Sequence, residues 1–201
     1  MANIFIISAP SGAGKSSLIE GLIAKDNAIK KSISVTTRQP RSGEQNGQHY
    51  FFTSEVDFQT RIKDSEFIEY ALVHGHWYGT SKALVEKELE KQNDLILEID
   101  YQGAQAIREQ FPSSISIFIL PPNKAVLRSR LEKRNTDDIA TIEQRLNAAS
   151  NEISHISDYQ YVIINNNFDE ALAELVAVVK TSRLSIGYRE AEEIINNFIE
   201  R

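Results

Sequence analysis

The sequence predicts an α/β fold: a parallel sheet flanked by helices, with an inserted lobe of mixed β structure and a helical lid. Three observations carry this. Four short apolar runs rich in β-formers, NIFIIS at 3–8, LILEID at 95–100, SIFIL at 116–120 and YVIIN at 161–165, read as strands buried on both faces. Helix-like segments separate them, and strand alternating with helix is the pattern of a parallel sheet. Around residues 33–80 the rhythm breaks: SISVTTRQPRSGEQNGQHYFF is rich in Thr, Gly, Asn and aromatics, so this region reads as strands and turns looped out into a lobe.

The elements follow in order. Behind the first strand, Ser16 to Lys25 carries Leu18, Ile19, Leu22 and Ile23 on one stripe, as a helix lying on the sheet requires. Ser81 to Lys91, with interleaved Glu and Lys, reads as a second helix. Residues 122–150 read as helix, polar loop, helix, a unit able to close over a site. From Gly187 onward Ala191, Ile194, Ile195, Phe198 and Ile199 recur at helical spacing beside acidic and amide residues. That segment is expected to be an amphipathic helix whose partner is this chain or a second copy, giving a homo-oligomer.

Bulk properties narrow the function. A chain of 201 residues suits one core with one or two inserted lobes. No apolar run approaches the ~20 residues that span a bilayer, and MANIFIIS has no basic segment ahead of its apolar stretch, so it reads as a strand rather than a signal peptide. The absence of cysteine removes disulfides and thiolate metal sites and fits a reducing cytoplasm. With 28 acidic against 22 basic residues and a net charge of −6, no long nucleic-acid footprint is expected. An anion must bind at a local cluster.

One such cluster is SAPSGAGKSSL. It approaches the phosphate-loop pattern of Gly, four residues, then Gly-Lys-Ser/Thr; Gly14, Lys15 and Ser16 fit, and Ala9 stands where the pattern has Gly. Its place between a strand and a helix is the required context. In such a loop the small residues Ala9, Pro10, Ser11, Gly12, Ala13 and Gly14 let backbone N–H groups converge on a phosphate at a helix N-terminus. Lys15 then reaches β- and γ-phosphate oxygens, and the Ser16 hydroxyl can ligate Mg²⁺. Alanine at position 9 costs strain only if that residue needs a positive φ.

Other clusters leave two readings each. Arg38 and Arg41 flank Pro40 and could grip a phosphate with help from Tyr50, or be solvated surface arginines. Glu98 and Asp100 alternate onto one face at the carboxyl end of a buried strand, where metal and nucleotide sites belong in open α/β sheets; a helix N-cap or a salt bridge is the other reading. Arg128, Arg130, Arg134 and Arg145 gather in 122–150, with Arg130 and Arg134 on one helix face, fitted either to stabilise a transferred phosphoryl group or to decorate a helix surface. His74 and His76 alternate as strand residues with no third metal ligand at an obvious spacing, and Trp77 reads as packing.

Together these motifs resemble guanylate kinases. The resemblance runs from about Asn3 to Leu184 and rests on SAPSGAGKSSL, SVTTRQPRSGEQNGQHY, EFIEYA followed by YGTS, and LEIDYQGAQ. The phosphate loop is shared by many enzymes; the second motif followed by Glu69 and YGTS is far more diagnostic. The resemblance implies a P-loop kinase core at 1–32, 82–122 and 149–184, a GMP-binding lobe at 33–81, a lid at 123–148 and an extension at 185–201. It implies ATP-dependent phosphorylation of GMP, and of dGMP, with Mg²⁺ as the cofactor. In this reading Arg38, Arg41, Tyr50 and Tyr78 hold the GMP phosphate, while Ser34, Glu69, Thr80 and Asp100 read guanine. A carboxylate such as Glu69 can accept from both N1–H and the N2 amino group, a pair that adenine lacks, and Thr80 or Ser34 can donate to O6. Lys15, Arg38, Arg134 and Arg145 are the catalytic set, Arg130 and Asn165 join the ATP side, and Ser16 and Glu98 attend the metal, Glu98 through water.

The chain departs from the family at Glu98, where Asp is usual, and at Lys133 and Asn135, where glycines are common in the lid. Scaffold modules of animal cells share this fold without a usable phosphate loop, so Gly12, Gly14, Lys15 and Ser16 separate this chain from them. A kinase of another nucleoside monophosphate is the nearer alternative.

Overall fold

The computed structural model describes residues 2–73, 75–133, 138–185 and 195. His74, Arg134, Asn135 and the terminal amphipathic segment apart from Ile195 lie outside the described residues.

A parallel sheet of five strands is built around β1 (Ile4–Ser8), with β2 (Ile29–Lys31), β7 (Asp94–Glu98), β8 (Ile115–Leu120) and β9 (Tyr161–Ile164) in the order β2-β7-β1-β8-β9. The unbroken apolar run of β1 has a simple reason. Phe5 and Ile7 point to one face, where they meet Leu18, Ile19 and Leu22 of α1 (Lys15–Lys25) and Leu172 and Leu175 of α7 (Phe168–Ser182). Ile4 and Ile6 point to the other, against Val85 of α3 (Lys82–Glu90) and Ile107 of α4 (Tyr101–Gln110). Both faces are covered, so both alternating sets must be apolar.

The region expected as a lobe forms its own sheet, β4-β3-β6-β5, from β3 (Val35–Thr36), β4 (Phe51–Phe52), β5 (Phe67–Val73) and β6 (His76–Ser81). It also holds a helix that the strands-and-turns reading lacks, α2 (Glu55–Lys63). The Ser54 hydroxyl caps it, accepting from the Asp57 N–H at 3.1 Å and donating to Asp57 Oδ2 at 2.7 Å. Phe58 of this helix stacks on Phe67 at 4.6 Å and on Trp77 at 6.0 Å, so Trp77 is a packing residue.

A third small core joins α5 (Lys124–Lys133) to α6 (Ile139–Ser154) through Leu127, Leu131, Ile142, Leu146 and Ala149. The pair thus has an apolar core of its own beside the sheet. α6 continues to Ser154, beyond the expected lid boundary at 148. Among the described residues, no helix is long and apolar enough to cross a membrane.

One buried carboxylate ties the base of the core together. Asp94, with its side chain 1% exposed, accepts from the Asn3 N–H at 2.7 Å and from Arg183 Nε at 2.7 Å, while Arg183 Nη1 reaches Asp26 at 2.5 Å. Replacing Arg183 by Ala leaves that carboxylate buried without its counter-ion and is expected to destabilise the fold by about 3 kcal/mol. Urea unfolding at neutral pH measures it; a loss below about 1 kcal/mol, typical of an exposed pair, would mean that the clamp contributes little.

Candidate active site

The phosphate-loop segment leaves β1 at Ser8 and re-enters regular structure at Lys15, the first residue of α1. Two glycines make the turn, Gly12 at φ 94° and Gly14 at φ 95°, and Ala9 is absent from the left-handed region. Alanine therefore stands at position 9 without backbone strain. No side chain caps α1, so its first N–H groups stay available to an anion. The loop is braced from behind: the Ala13 carbonyl accepts from Asn165 Nδ2 at 2.7 Å and from Arg130 Nη1 at 3.2 Å, and Arg130 Nη2 donates to the Asn165 carbonyl at 2.8 Å.

Beside the loop stands Glu98, the last residue of β7. Its Oε1 accepts from the Ser16 hydroxyl at 2.7 Å and lies 3.8 Å from Lys15 Nζ; its Oε2 is 2.6 Å from Lys31 Nζ. Burial alone would push this carboxyl up, but Lys15, Lys31 and the hydrogen bonds outweigh it and bring Glu98 down to about 2. It is a fixed negative charge flanked by two ammonium groups. The strand ends here rather than at residue 100, and Asp100 is the N-cap of α4, accepting from the Gly103 N–H at 2.9 Å. The helix-cap reading of Asp100 is thus correct, and Asp100 still lines the same cleft as Glu98.

The lobe supplies the opposite wall. Arg38 Nη2 donates to both carboxylate oxygens of Glu44 at 2.8 and 2.9 Å, and the guanidinium lies over the Tyr50 ring at 5.3 Å; Tyr50 meets Tyr78 edge-on at 5.9 Å. Glu44 also accepts the Arg41 N–H at 2.7 Å, which holds the turn containing both arginines. Burial and the charge of Glu98 push the Tyr50 phenol well above its ordinary range, so it stays a donor. Deeper in the cleft, Glu69 is 6% exposed, and its Oε1 accepts from the Thr80 hydroxyl at 2.5 Å. Burial, with the Asp100 charge adding to it, overrides the Thr80 hydrogen bond and raises Glu69 to about 7.

These groups line one cleft of about 400 Å³. Ala9, Pro10, Ser11, Gly12, Gly14, Lys15 and Ser16 lie on one side, Ser34, Arg38, Arg41, Tyr50, Glu69 and Tyr78 on the other, and Glu98 and Asp100 between. Arg145 enters from α6, donating to the Ser11 hydroxyl at 3.3 Å. Five candidate residues stand elsewhere. Ala13, Arg130 and Asn165 support the loop from behind instead of facing the cleft, because their polar atoms are bonded to one another. Thr80 is fully buried behind Glu69, and its hydroxyl proton is committed to that carboxylate rather than presented to a ligand. Arg128 pairs with Glu143 at 2.7 Å and joins the two lid helices.

Among the lining residues that were not expected are Lys31, Glu44 and Glu152. Lys31 enters through strand pairing, since β2 lies beside β7 with Lys31 opposite Ile96, a proximity with no local signal. Glu152 was legible, because it follows Arg145 by seven residues and so shares its helix face. Burial raises it to about 7, partly offset by Lys15 and reinforced by Asp100.

A phosphate loop at the carboxyl ends of a parallel sheet, facing an arginine- and tyrosine-lined lobe and a two-helix lid, defines a P-loop kinase of small acceptors. A sequence model of the guanylate kinase family matches residues 1–182. Among curated proteins, the guanylate kinase of Paraburkholderia xenovorans is 49% identical over 181 residues, covering 90% of this chain and 80% of that protein. That of Mannheimia succiniciproducens is 47% identical over 204 residues, covering 99% and 98%. Among solved structures, guanylate kinase from Anaplasma phagocytophilum superposes with a TM-score of 0.82 at 30% identity, over 97% of this chain and 94% of that one. The chain belongs to the guanylate kinase family.

Proposed function

We propose a division of labour among these residues for the reaction of this chain, ATP-dependent phosphorylation of GMP to GDP. The observation that carries it is the facing of the phosphate loop by the arginine and carboxylate wall across one cleft. ATP lies along residues 9–16, with its phosphates on the N–H groups of the loop and of α1. GMP, or dGMP, lies in the lobe, its phosphate taken by Arg38, Arg41, Tyr50 and Tyr78 and its base by Glu69, Ser34 and Asp100. Thr80 serves indirectly, holding Glu69 Oε1 so that the carboxylate meets the guanine edge. Arg38 then exchanges Glu44 for the incoming phosphate, an anion of higher charge. The acceptor oxygen is already anionic, so no side-chain base is required and positioning carries the rate. Lys15, Arg134 and Arg145 neutralise charge on the transferred group.

The Ser16 hydroxyl and Glu98 carboxylate form an oxygen donor pair at 2.7 Å beside the loop, which suits Mg²⁺, an ion that takes few protein ligands and completes its shell with phosphate and water. Among the described residues there is no cluster of three or more His, Cys, Asp or Glu that would hold a metal by itself. When bound with ATP, the ion would neutralise β- and γ-phosphate oxygens.

Glu69 supplies the test. The ionised carboxylate accepts two guanine donors and the protonated one does not. With Glu69 near 7, kcat/KM for GMP is therefore expected to fall about tenfold per pH unit below that value and to level off above it. Glu69→Gln should remove this limb, leaving the titration of the GMP phosphate near 6, and lower kcat/KM for GMP about 100-fold with the ATP KM unchanged. Assays against GMP, dGMP, AMP, CMP and UMP complete the comparison. Equal losses toward both substrates would sink the assignment of Glu69 to guanine.

A further inference from the structure

Glu69 reaches the cleft from the lobe, yet its carboxyl group rests on the core. The surface beneath it is the first turn of α4, and the residue there is Gly103. A Cβ built on Gly103 would fall 2.5 Å from Glu69 Oε2 and 3.1 Å from its Cδ. Ordinary propensity favours alanine over glycine within a helix, so the glycine costs local stability for which the helix shows no internal reason. The same residue's N–H donates to Asp100 Oδ1 at 2.9 Å. Two turns further, Gln110 Nε2 donates to the carbonyl of Ile68, the residue before Glu69, at 2.8 Å, which fixes β5 against this helix.

We infer that Gly103 is a positioning residue for recognition of the base: its missing side chain is the seat of the Glu69 carboxyl group, and its N–H fixes Asp100 alongside. The two carboxylates that face the base are thus set by one residue that does not itself line the cleft. Glu69 has one oxygen held by Thr80 and the other backed by bare Cα, so the carboxylate plane is aimed from both ends. A methyl group at 103 would not break the fold. The atom that it meets is the free end of a flexible side chain, so the carboxylate gives way and turns off its axis. The inference rests on the reading of Glu69 as the acceptor for guanine.

The experiment is a double-mutant cycle between Gly103→Ala and Glu69→Asp, with Glu69→Gln as reference and with GMP, IMP and ATP as ligands. IMP lacks the N2 amino group and so makes one bond fewer to the carboxylate. Gly103→Ala is expected to raise the GMP KM about tenfold, to leave the ATP KM unchanged and to narrow the preference for GMP over IMP at least about fivefold. In the Glu69→Asp background the shorter carboxylate clears the methyl group, and the same substitution should change the GMP KM less than about twofold. A purely structural glycine would cost the same in both backgrounds. Equal effects in the two backgrounds, or a GMP KM and preference untouched in Gly103→Ala, overturn the inference. Full GMP preference in Glu69→Gln overturns the reading on which it rests, a separate failure.

Discussion

Lys15→Ala is expected to lower kcat by about a thousandfold or more while leaving the fold intact. Lys15 is the first residue of α1, so its ammonium group stands where the loop N–H groups and the helix N-terminus already favour an anion. In a phosphoryl transfer the charge spreads over the oxygens of the migrating group. A cation fixed beside them stabilises the transition state more than the ground state, and its loss therefore falls on kcat. Nothing in the resting molecule should suffer, because Glu98 keeps Lys31 at 2.6 Å and the Ser16 hydroxyl at 2.7 Å when Lys15 is gone. The check is kcat from a coupled assay of ADP release beside a melting curve. A melting temperature close to wild type with abolished turnover is the expected pair of results; turnover within tenfold of wild type would remove Lys15 from the transition state.

The second large effect belongs to Gly14→Ala, through geometry rather than charge. Gly14 has φ 95°, where an L side chain is strained, and its Cβ would fall 2.3 Å from Asn165 Nδ2. That nitrogen is the donor that holds the Ala13 carbonyl, so the clash is with the brace of the loop itself. Strain and clash together should cost about 3 kcal/mol, and a loop re-formed without its brace should bind ADP about 100-fold more weakly. The two causes separate in a cycle with Asn165→Ala. That change alone removes a hydrogen bond worth about 1 kcal/mol, but it also removes the obstacle. Gly14→Ala should then cost less in the Asn165→Ala background, down to the backbone strain. Unfolding free energies and ADP affinities of the four proteins read this directly; strict additivity would mean that Asn165 yields freely and only φ matters.

Both effects turn on the same division between what is local and what is not. The phosphate loop was legible because its requirements are local: small residues where N–H groups converge, glycine at positive φ, lysine and serine opening a helix. Strand against helix was legible for a similar reason, since burial on both faces imposes the unbroken apolar run of β1 and burial on one face the stripe of α1. Helix α2 escaped although Ser54 and Asp57 marked its start, because an apolar face resting on Phe58 alone leaves little periodicity to read.

The residues whose roles shifted all owe them to contacts distant in sequence. Thr80 reads locally as a hydroxyl free to donate to a base; only the antiparallel pairing of β5 with β6 sets it opposite Glu69 and commits its proton there. Arg130 and Asn165 read as nucleotide contacts. The fold brings α5 and the end of β9 together behind Ala13, where both find backbone carbonyls to satisfy. Lys31 carries no motif and reaches Glu98 only because β2 lies beside β7. By itself the sequence determined the fold class, the geometry of the loop and the family, because periodicity, turn geometry and motif spacing are properties of neighbouring residues. Tertiary structure alone decided which polar groups face the cleft and which support it, because a donor's use depends on the partner that the fold delivers.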